Sequence, residues 1–187
     1  MRRRALLIAG LCAVMTLGAA RPKPERWPVV REESAIRLSV KAFGMPRNGR
    51  FQDWRGDIAF DPAAPEQTRA TIVIQAASLD MGSSVVTARA VGAGFLDAGR
   101  SPTIRVEVRA LRPVGGGHYL ARSDVTLKGV TRSIEYPVDL RVDGDRAHLM
   151  AAITLDRAQF GIGTTTTWNR LIDRQVMVRA TLVARRP

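Results

Sequence analysis

The stretch Thr103–Leu111, TIRVEVRAL, decides the fold class. Ile104, Val106 and Val108 take alternate positions, with Arg105, Glu107 and Arg109 between them. Successive side chains of a β-strand point to opposite faces, so this segment has one dry face and one charged face. The dry face has three things it can look at: a solid core, a lipid bilayer or an apolar ligand.

The same period of two recurs along the chain. Ser34–Lys41 places Ile36, Leu38 and Val40 in phase, and Arg69–Ala77 places Ile72, Ile74 and Ala76 in phase. Phe51–Asp61 follows a turn expected at Pro46, Asn48 and Gly49, and His118–Leu127 follows the glycines Gly115–Gly117. Ser133–Val142 and Arg146–Asp156 flank Asp143-Gly144-Asp145, a hairpin turn of the kind glycine permits. Arg174–Ala184 closes the chain with Val176, Val178, Ala180 and Leu182 in phase. These are eight strand candidates joined mostly by short connections, which predicts an all-β antiparallel sandwich or barrel. Ser83–Ala98 breaks the alternation, and a short helix is expected to begin near Ser84 and end at the glycines. An eight-stranded barrel has an interior that is filled by side chains or holds one small ligand, and both use this alternation.

The chain has 187 residues, enough for one domain with a sizeable core. Its start is a separate matter. Arg2, Arg3 and Arg4 precede an apolar run from Ala5 to Leu17 and the small residues Gly18, Ala19 and Ala20. This is the three-part pattern of a secretory signal peptide over residues 1–20, with cleavage expected after Ala20. The alternative, an uncleaved anchor, would need about 20 apolar residues, more than this run offers. Residues 21–28, RPKPERWP, read as a linker, which leaves 29–187 for the β-domain. The single cysteine, Cys12, lies inside the apolar run, so the mature chain would hold neither a disulfide nor a thiol. The formal charge of +12 falls to +9 when Arg2, Arg3 and Arg4 are removed. The arginines alternate along strands instead of clustering with stacking aromatics, so no nucleic-acid partner is expected.

A search for chemistry yields no catalytic constellation. His118 and His148 have no second ligand at metal-binding spacing, and no nucleophile elbow or dinucleotide fingerprint is present. Asp156-Arg157 reads as a structural ion pair or turn device, and Lys41 and Lys128 as exposed lysines at strand ends. Neither an enzymatic activity nor a metal or cofactor is therefore expected.

The order of motifs carries a family resemblance. ESAIRLSVKAFG and GRFQDWRGDIAFDP are followed by ATIVIQAASLDMG, GFLDAGRSPTIRVEV, DVTLKGVTRSIEYPVDL and finally LDRAQFGIG. Taken together from about Trp27 to Arg185, the chain resembles the YceI family of exported, lipocalin-like isoprenoid-binding proteins. The resemblance implies an eight-stranded antiparallel barrel with an inserted helix and an apolar interior holding a long polyisoprenoid. It also implies a periplasmic location and, by analogy with relatives, a link to cytochrome b561-type membrane proteins and quinone-linked redox. The chain departs from the family pattern where Lys41 and Lys128 replace a common histidine. It departs again at Thr87 and Arg89, in the segment before Phe95, and at Arg105, which stands for an aromatic.

The expected function is then that of a periplasmic carrier for a polyisoprenoid or quinone-like lipid, monomeric or homodimeric. Its expected lining comprises Ile36, Leu38, Val40, Phe51, Ile58 and Phe60 from the first strands, and Ile72, Ile74, Phe95, Ile104, Val106 and Val108 from the middle. Val125, Leu127, Phe160, Val176 and Val178 complete it. The alternative is a non-catalytic barrel serving interaction or stress response without bound lipid. A lipid-facing outer-membrane barrel would require aromatic girdles, which three Trp, two Tyr and five Phe scarcely provide. The N-terminal pattern predicts a mature protein that begins near Arg21 and fractionates with the periplasm. N-terminal sequencing checks this, and recovery of Met1 from a membrane pellet would refute it.

Overall fold

The computed structural model describes residues 24–187, so the expected signal peptide lies outside the described residues. In chain order the strands are β1 (Glu25–Arg26), β2 (Ala35–Ala42), β3 (Met45–Phe51), β4 (Trp54–Phe60), β5 (Arg69–Gln75) and β6 (Leu79–Asp80). Helix α1 (Ser84–Val91) follows, then β7 (Thr103–Gly115), β8 (His118–Leu127), β9 (Val130–Asp143) and β10 (Arg146–Asp156). Helix α2 (Thr166–Leu171) and β11 (Gln175–Arg185) complete the chain.

All pairings are antiparallel, in the order β1-β4-β5-β7-β8-β9-β10-β11-β2-β3-β6. Only Gln52 and Asp53 separate β3 from β4, and a single 3-10 turn, Ala76–Ser78, separates β5 from β6. The Gln75 N–H donates to the Asp53 carbonyl at 2.9 Å, and the Gln52 N–H to the Ser78 carbonyl at 3.0 Å. The ladder thus continues through the kink. β3–β4 acts as one bent strand and β5–β6 as its bent partner, and the sheet closes on itself. The eleven strand segments form the expected antiparallel lipocalin-like barrel, with β1 as an addition and the inserted helix at Ser84–Val91.

The turn expected at Pro46–Gly49 is strand instead. The chain reverses at Phe43 and Gly44, both at positive φ (56° and 74°). Gly49 marks a close approach of two strands: a Cβ there would meet the Met81 sulfur at 2.5 Å and Leu79 at 3.0 Å. Pro46 lies where β3 extends past short β6, on an edge that does not need its missing N–H.

The dry faces turn inward, and the outer faces carry exposed Arg37, Arg55, Arg105, Arg122 and Arg179. A lipid-facing barrel needs the reverse arrangement. A register shift between Val108 and Ala110 moves the inward phase of β7, so that Leu111 is buried. Leu111 joins Ala121, Tyr136, Val138, Ala151 and Ile153 in a packed cluster at mid-barrel. There the Tyr136 hydroxyl and the buried Ser123 hydroxyl hydrogen-bond at 2.7 Å, and burial pushes the Tyr136 pKa up.

The stretch 21–28, read from its prolines as a linker, forms the floor from β1 onward. Trp27 is 1% exposed and packs edge-on against Phe60, with centroids 5.2 Å apart, beside Ala147 and Ala184. Its backbone N–H donates to the Ile58 carbonyl at 2.9 Å, and Arg186 lies over the indole. The proline content of this stretch outweighs the one aromatic that decides its fate. Trp27→Ala should open a cavity in the floor and lower stability by about 3–5 kcal/mol. Urea unfolding checks this, and a loss under about 1 kcal/mol would show that the segment is not part of the core.

Candidate functional site

Above the packed floor the barrel is open. An apolar cavity of about 380 Å³ lies between the mid-barrel cluster and the end that carries α1 and α2. Its walls come from strand residues in phase. Ile36, Leu38 and Val40 on β2 and Phe51 on β3 face Ile104 and Val106 on β7. Ile74, Val125, Leu127, Val176 and Val178 continue the wall, and Phe95 and Phe160 reach in from the connecting segments. Ile58, Phe60, Ile72 and Val108, also expected in the lining, lie elsewhere. Phe60 is in the floor and Ile58 packs beside it. Ile72 is buried within the core cluster, and Val108 sits opposite Ser123 in the ladder. These four obey the alternation but lie outside the hollow.

The sequence gives little sign of the mouth residues. Phe43, Val85, Arg89, Trp168 and Ile172 line the cavity from turns, helices and the segment after α2, where period two carries no signal, and Arg47 lines it from β3, in a stretch that reads as a turn. Ile153 and Leu155 also line it and were in phase on β10. Trp168 centres the rim: its ring lies 5.7 Å from Phe95 and 6.3 Å from Phe43, and the Arg89 guanidinium stands 5.0 Å above it. Val85 is 78% exposed and Phe43 56%, so the rim presents apolar side chains to solvent.

Helix α1 is anchored by polar contacts at its ends. The Met81 N–H donates to the Thr87 hydroxyl at 2.9 Å. After the helix, the Leu96 and Ala98 N–H groups return to the carbonyls of Ala90 and Val91, which folds Phe95 and Leu96 back over the cavity. Lys128, read as an exposed strand-end lysine, is part of this anchoring. Its ammonium donates to the Ala93 carbonyl at 3.2 Å and the Gly161 carbonyl at 3.1 Å, bridging the helix segment to the β10–α2 connection. Lys41 is exposed.

The segment Asp156–Gly163 shapes the other side of the mouth. Asp156 accepts a hydrogen bond from the Ala158 N–H and so caps the turn. Its ion partner is Arg174, at 2.6 Å, and not the adjacent Arg157. That hydrogen bond holds the Asp156 carboxyl below its usual range. Arg157 is 3% exposed and points inward. Its guanidinium donates to the carbonyls of Ile162 (2.8 Å), Gly163 (2.7 Å), Ile172 (2.5 Å) and Asp173 (2.9 Å), and to the Asn169 side chain (3.4 Å). Burial lowers its pKa. Phe160 supplies wall, Gly161 adopts φ 66°, and Gly163 passes so near Phe95 that a Cβ would come within 2.9 Å of that ring. The segment is a turn built around one buried cation.

Among the described residues no group of three His, Cys, Asp or Glu side chains could hold a metal ion. His118 faces Asp139 at the opposite end of the barrel.

Residues 27–184 match the YceI-like domain family. The chain belongs to that family. A UPF0312 protein of Pseudomonas putida (strain W619) is 26% identical over 137 residues, which cover 70% of this chain and 71% of the relative. The crystal structure of Burkholderia cenocepacia BcnA superposes with a TM-score of 0.79 at 26% identity, covering 83% of this chain and 99% of that one. A polyisoprenoid binding domain from Saccharophagus degradans, implicated in plant cell wall breakdown, shares the fold. Its TM-score is 0.67 at 18% identity, over 86% of this chain and 98% of that domain. The family match takes in both the Trp27 floor and the Trp168 rim.

Replacing the central arginine tests the mouth. Arg157→Leu fills similar space but strands several buried carbonyls, so stability should fall by about 3 kcal/mol or more. Hydrogen exchange should show loss of protection around 161–173 before the barrel strands. Equal protection in both proteins would refute the role given to Arg157.

Proposed function

We propose that this YceI-like protein binds a long apolar isoprenoid lipid in the barrel cavity and carries it, without catalysis, in the periplasm. The observation that carries the reading is the hollow itself: a space of about 380 Å³ walled by aliphatic and aromatic side chains and open at one end. Ligand sites of this size and character are apolar with few polar anchors. A tail that buries about fifteen carbons at roughly 0.8 kcal/mol each gains on the order of 10 kcal/mol gross, partly offset by ordering of the chain. The structural likeness to a polyisoprenoid binding domain agrees with a ligand of this kind. The signal-like N-terminus supports export, and a cytochrome b561-type membrane protein is the partner that the family resemblance suggests. A polyisoprenoid or an isoprenoid quinone fits this reading. A filled interaction barrel would have no use for the open half.

Native mass spectrometry and organic extraction of the purified protein should find an isoprenoid lipid. Val106 lines the cavity, whereas Arg105 points outward. Val106→Trp should leave the protein folded with reduced lipid content, because added volume in a hollow displaces ligand before it strains the wall. Arg105→Trp should bind normally. In a packed interior the same enlargement would destabilise by about 1–3 kcal/mol. Unfolding of Val106→Trp with no prior loss of lipid would overturn the carrier reading.

A further inference from the structure

The two ends of the barrel differ in charge. Four connecting segments surround the mouth: 41–47 with the β2–β3 reversal, 83–94 with α1, 127–132 at the β8–β9 turn and 161–173 with α2. They carry six bases, Lys41, Arg47, Arg89, Lys128, Arg132 and Arg170, and one acid, Asp173. Among the described residues none of these seven forms an ion pair. The segments of the closed end, 25–33, 61–69, 112–118, 143–146 and 185–186, carry seven bases and seven acids. There Arg26, Arg146, Arg185 and Arg186 each meet a carboxylate. The excess positive charge of the described residues therefore lies mainly around the mouth. The same segments hold exposed apolar side chains: Phe43, Met45 and Val85 are each more than half exposed. Phe43 takes φ 56°, a left-handed conformation that glycine or asparagine adopts at less cost than an aromatic. Trp168 joins these parts, packing edge-on against Phe43 beneath the Arg89 guanidinium, while the Phe43 N–H donates to the Leu171 carbonyl at 2.7 Å. Apolar tips and unpaired cations thus share one platform.

An exposed apolar patch ringed by charge of one sign complements a bilayer surface of the other sign. We propose that the mouth face docks on an anionic lipid bilayer, with Phe43, Met45 and Val85 entering the headgroup boundary and Lys41, Arg132 and Arg170 meeting lipid phosphates. A neutral bilayer would leave the cations without counter-charge, and an acidic protein segment would leave the apolar tips without cover. Docked in this orientation, the cavity opens onto the membrane, and the closed end, balanced in charge, faces water. The rim acts in this way whatever the cavity holds, so the docking face and the isoprenoid stand or fall separately.

The test is flotation of the chain from Arg21 onward, which contains every described element, with phosphatidylcholine vesicles. One set also contains about a quarter phosphatidylglycerol, which makes its surface negative. The anionic vesicles should bind about tenfold tighter or better, with the advantage shrinking as salt rises. Lys41→Gln and Arg170→Gln should each weaken that binding roughly fivefold. Arg112→Gln removes the same charge from the closed end and should leave it unchanged. Val85→Glu, at an exposed helix position, should abolish most of the binding without lowering the melting temperature. Orientation has its own readout. Cys12 is the one cysteine of the sequence, so the chain from Arg21 onward takes a single polarity-sensitive dye at any introduced cysteine. Dye attached through Val85→Cys should shift to the blue on anionic vesicles, and dye attached through Val114→Cys, exposed at the closed end, should not. Equal affinity for both vesicles, or equal sensitivity to Arg112→Gln and Lys41→Gln, would show only the general attraction of a basic protein and overturn the docking face. A blue shift at Val114→Cys instead of Val85→Cys, or binding untouched by Val85→Glu, would overturn it as well. Absence of binding to either vesicle would overturn it and leave an acidic protein as the partner of the cationic rim.

Discussion

The mouth of this barrel depends on how Arg157 is buried. A guanidinium withdrawn from water has a severe desolvation cost unless its donors are met. The neighbouring carboxylate is unavailable, because Asp156 caps the turn and pairs outward with Arg174. Backbone carbonyls take its place, four of them, drawn from two separate loops. Each of those carbonyls would itself be costly to leave unpaired. Cation and carbonyls thus satisfy one another, and the loops at 161–163 and 172–173 have one arrangement that does so. That arrangement sets Phe160 into the wall, brings Gly163 against Phe95, and orients α2 so that Trp168 crowns the opening.

Below the mouth, the same alternating pattern produces two different interiors. The difference lies in reach. The open half is walled largely by short or branched side chains, among them Val40, Val106, Val125, Val176 and Val178. Valines on opposite sides of an eight-stranded ring do not meet across it, so they line a space. In the closed half, Tyr136 and Leu111 extend inward, and the Tyr136 hydroxyl finds Ser123 across the ladder. Trp27 and Phe60 then fill the end. The bulge after Val108 contributes by bringing Leu111 inside at the level where the hollow stops. A polar pair and a bulge, together with a few aromatics, convert a tunnel into a cup.

The barrel was legible because a closed sheet repeats one rule in every strand, so each of the eight candidates supports the others. The hidden features are those where the rule is interrupted. Pro46 and Gly49 look like turn residues, yet they sit in a strand because β6 is short and approaches closely. The kinks at 52–53 and 76–78 fall near the ends of the strand candidates Phe51–Asp61 and Arg69–Ala77, whose alternation does not show that β3 and β6 continue the sheet beyond them. Trp27 stands among prolines and charges, and nothing local says that it plugs the barrel. At the site, the wall residues could be assigned to the inward face, but their depth could not. Phase places Val106 and Val108 alike, and only the filled mid-barrel separates them. The rim residues Arg89 and Trp168 carry no periodic signal, because their positions follow from tertiary packing of α1 and the Arg157 loops, and Arg47 is hidden because Pro46 and Gly49 make its strand look like a turn.

The two ends of the cavity are held by different kinds of bonding, and this bears on how a long ligand enters. The walls are strand ladders, cooperative and continuous around the ring. The rim is held by side-chain bonds and ring contacts: Thr87 to Met81, Lys128 to two carbonyls, and Trp168 among Phe43, Phe95 and Arg89. An eight-residue helix has little stability of its own, so α1 keeps its place by packing on this rim. Few buried apolar contacts and exposed polar bonds mark the segments that open at low cost. α1 has no fully buried residue, whereas the strands on either side of the cavity do. Displacing α1 would widen the mouth and leave every ladder intact. The mouth can therefore widen for a ligand of the proposed kind while the sheet remains closed.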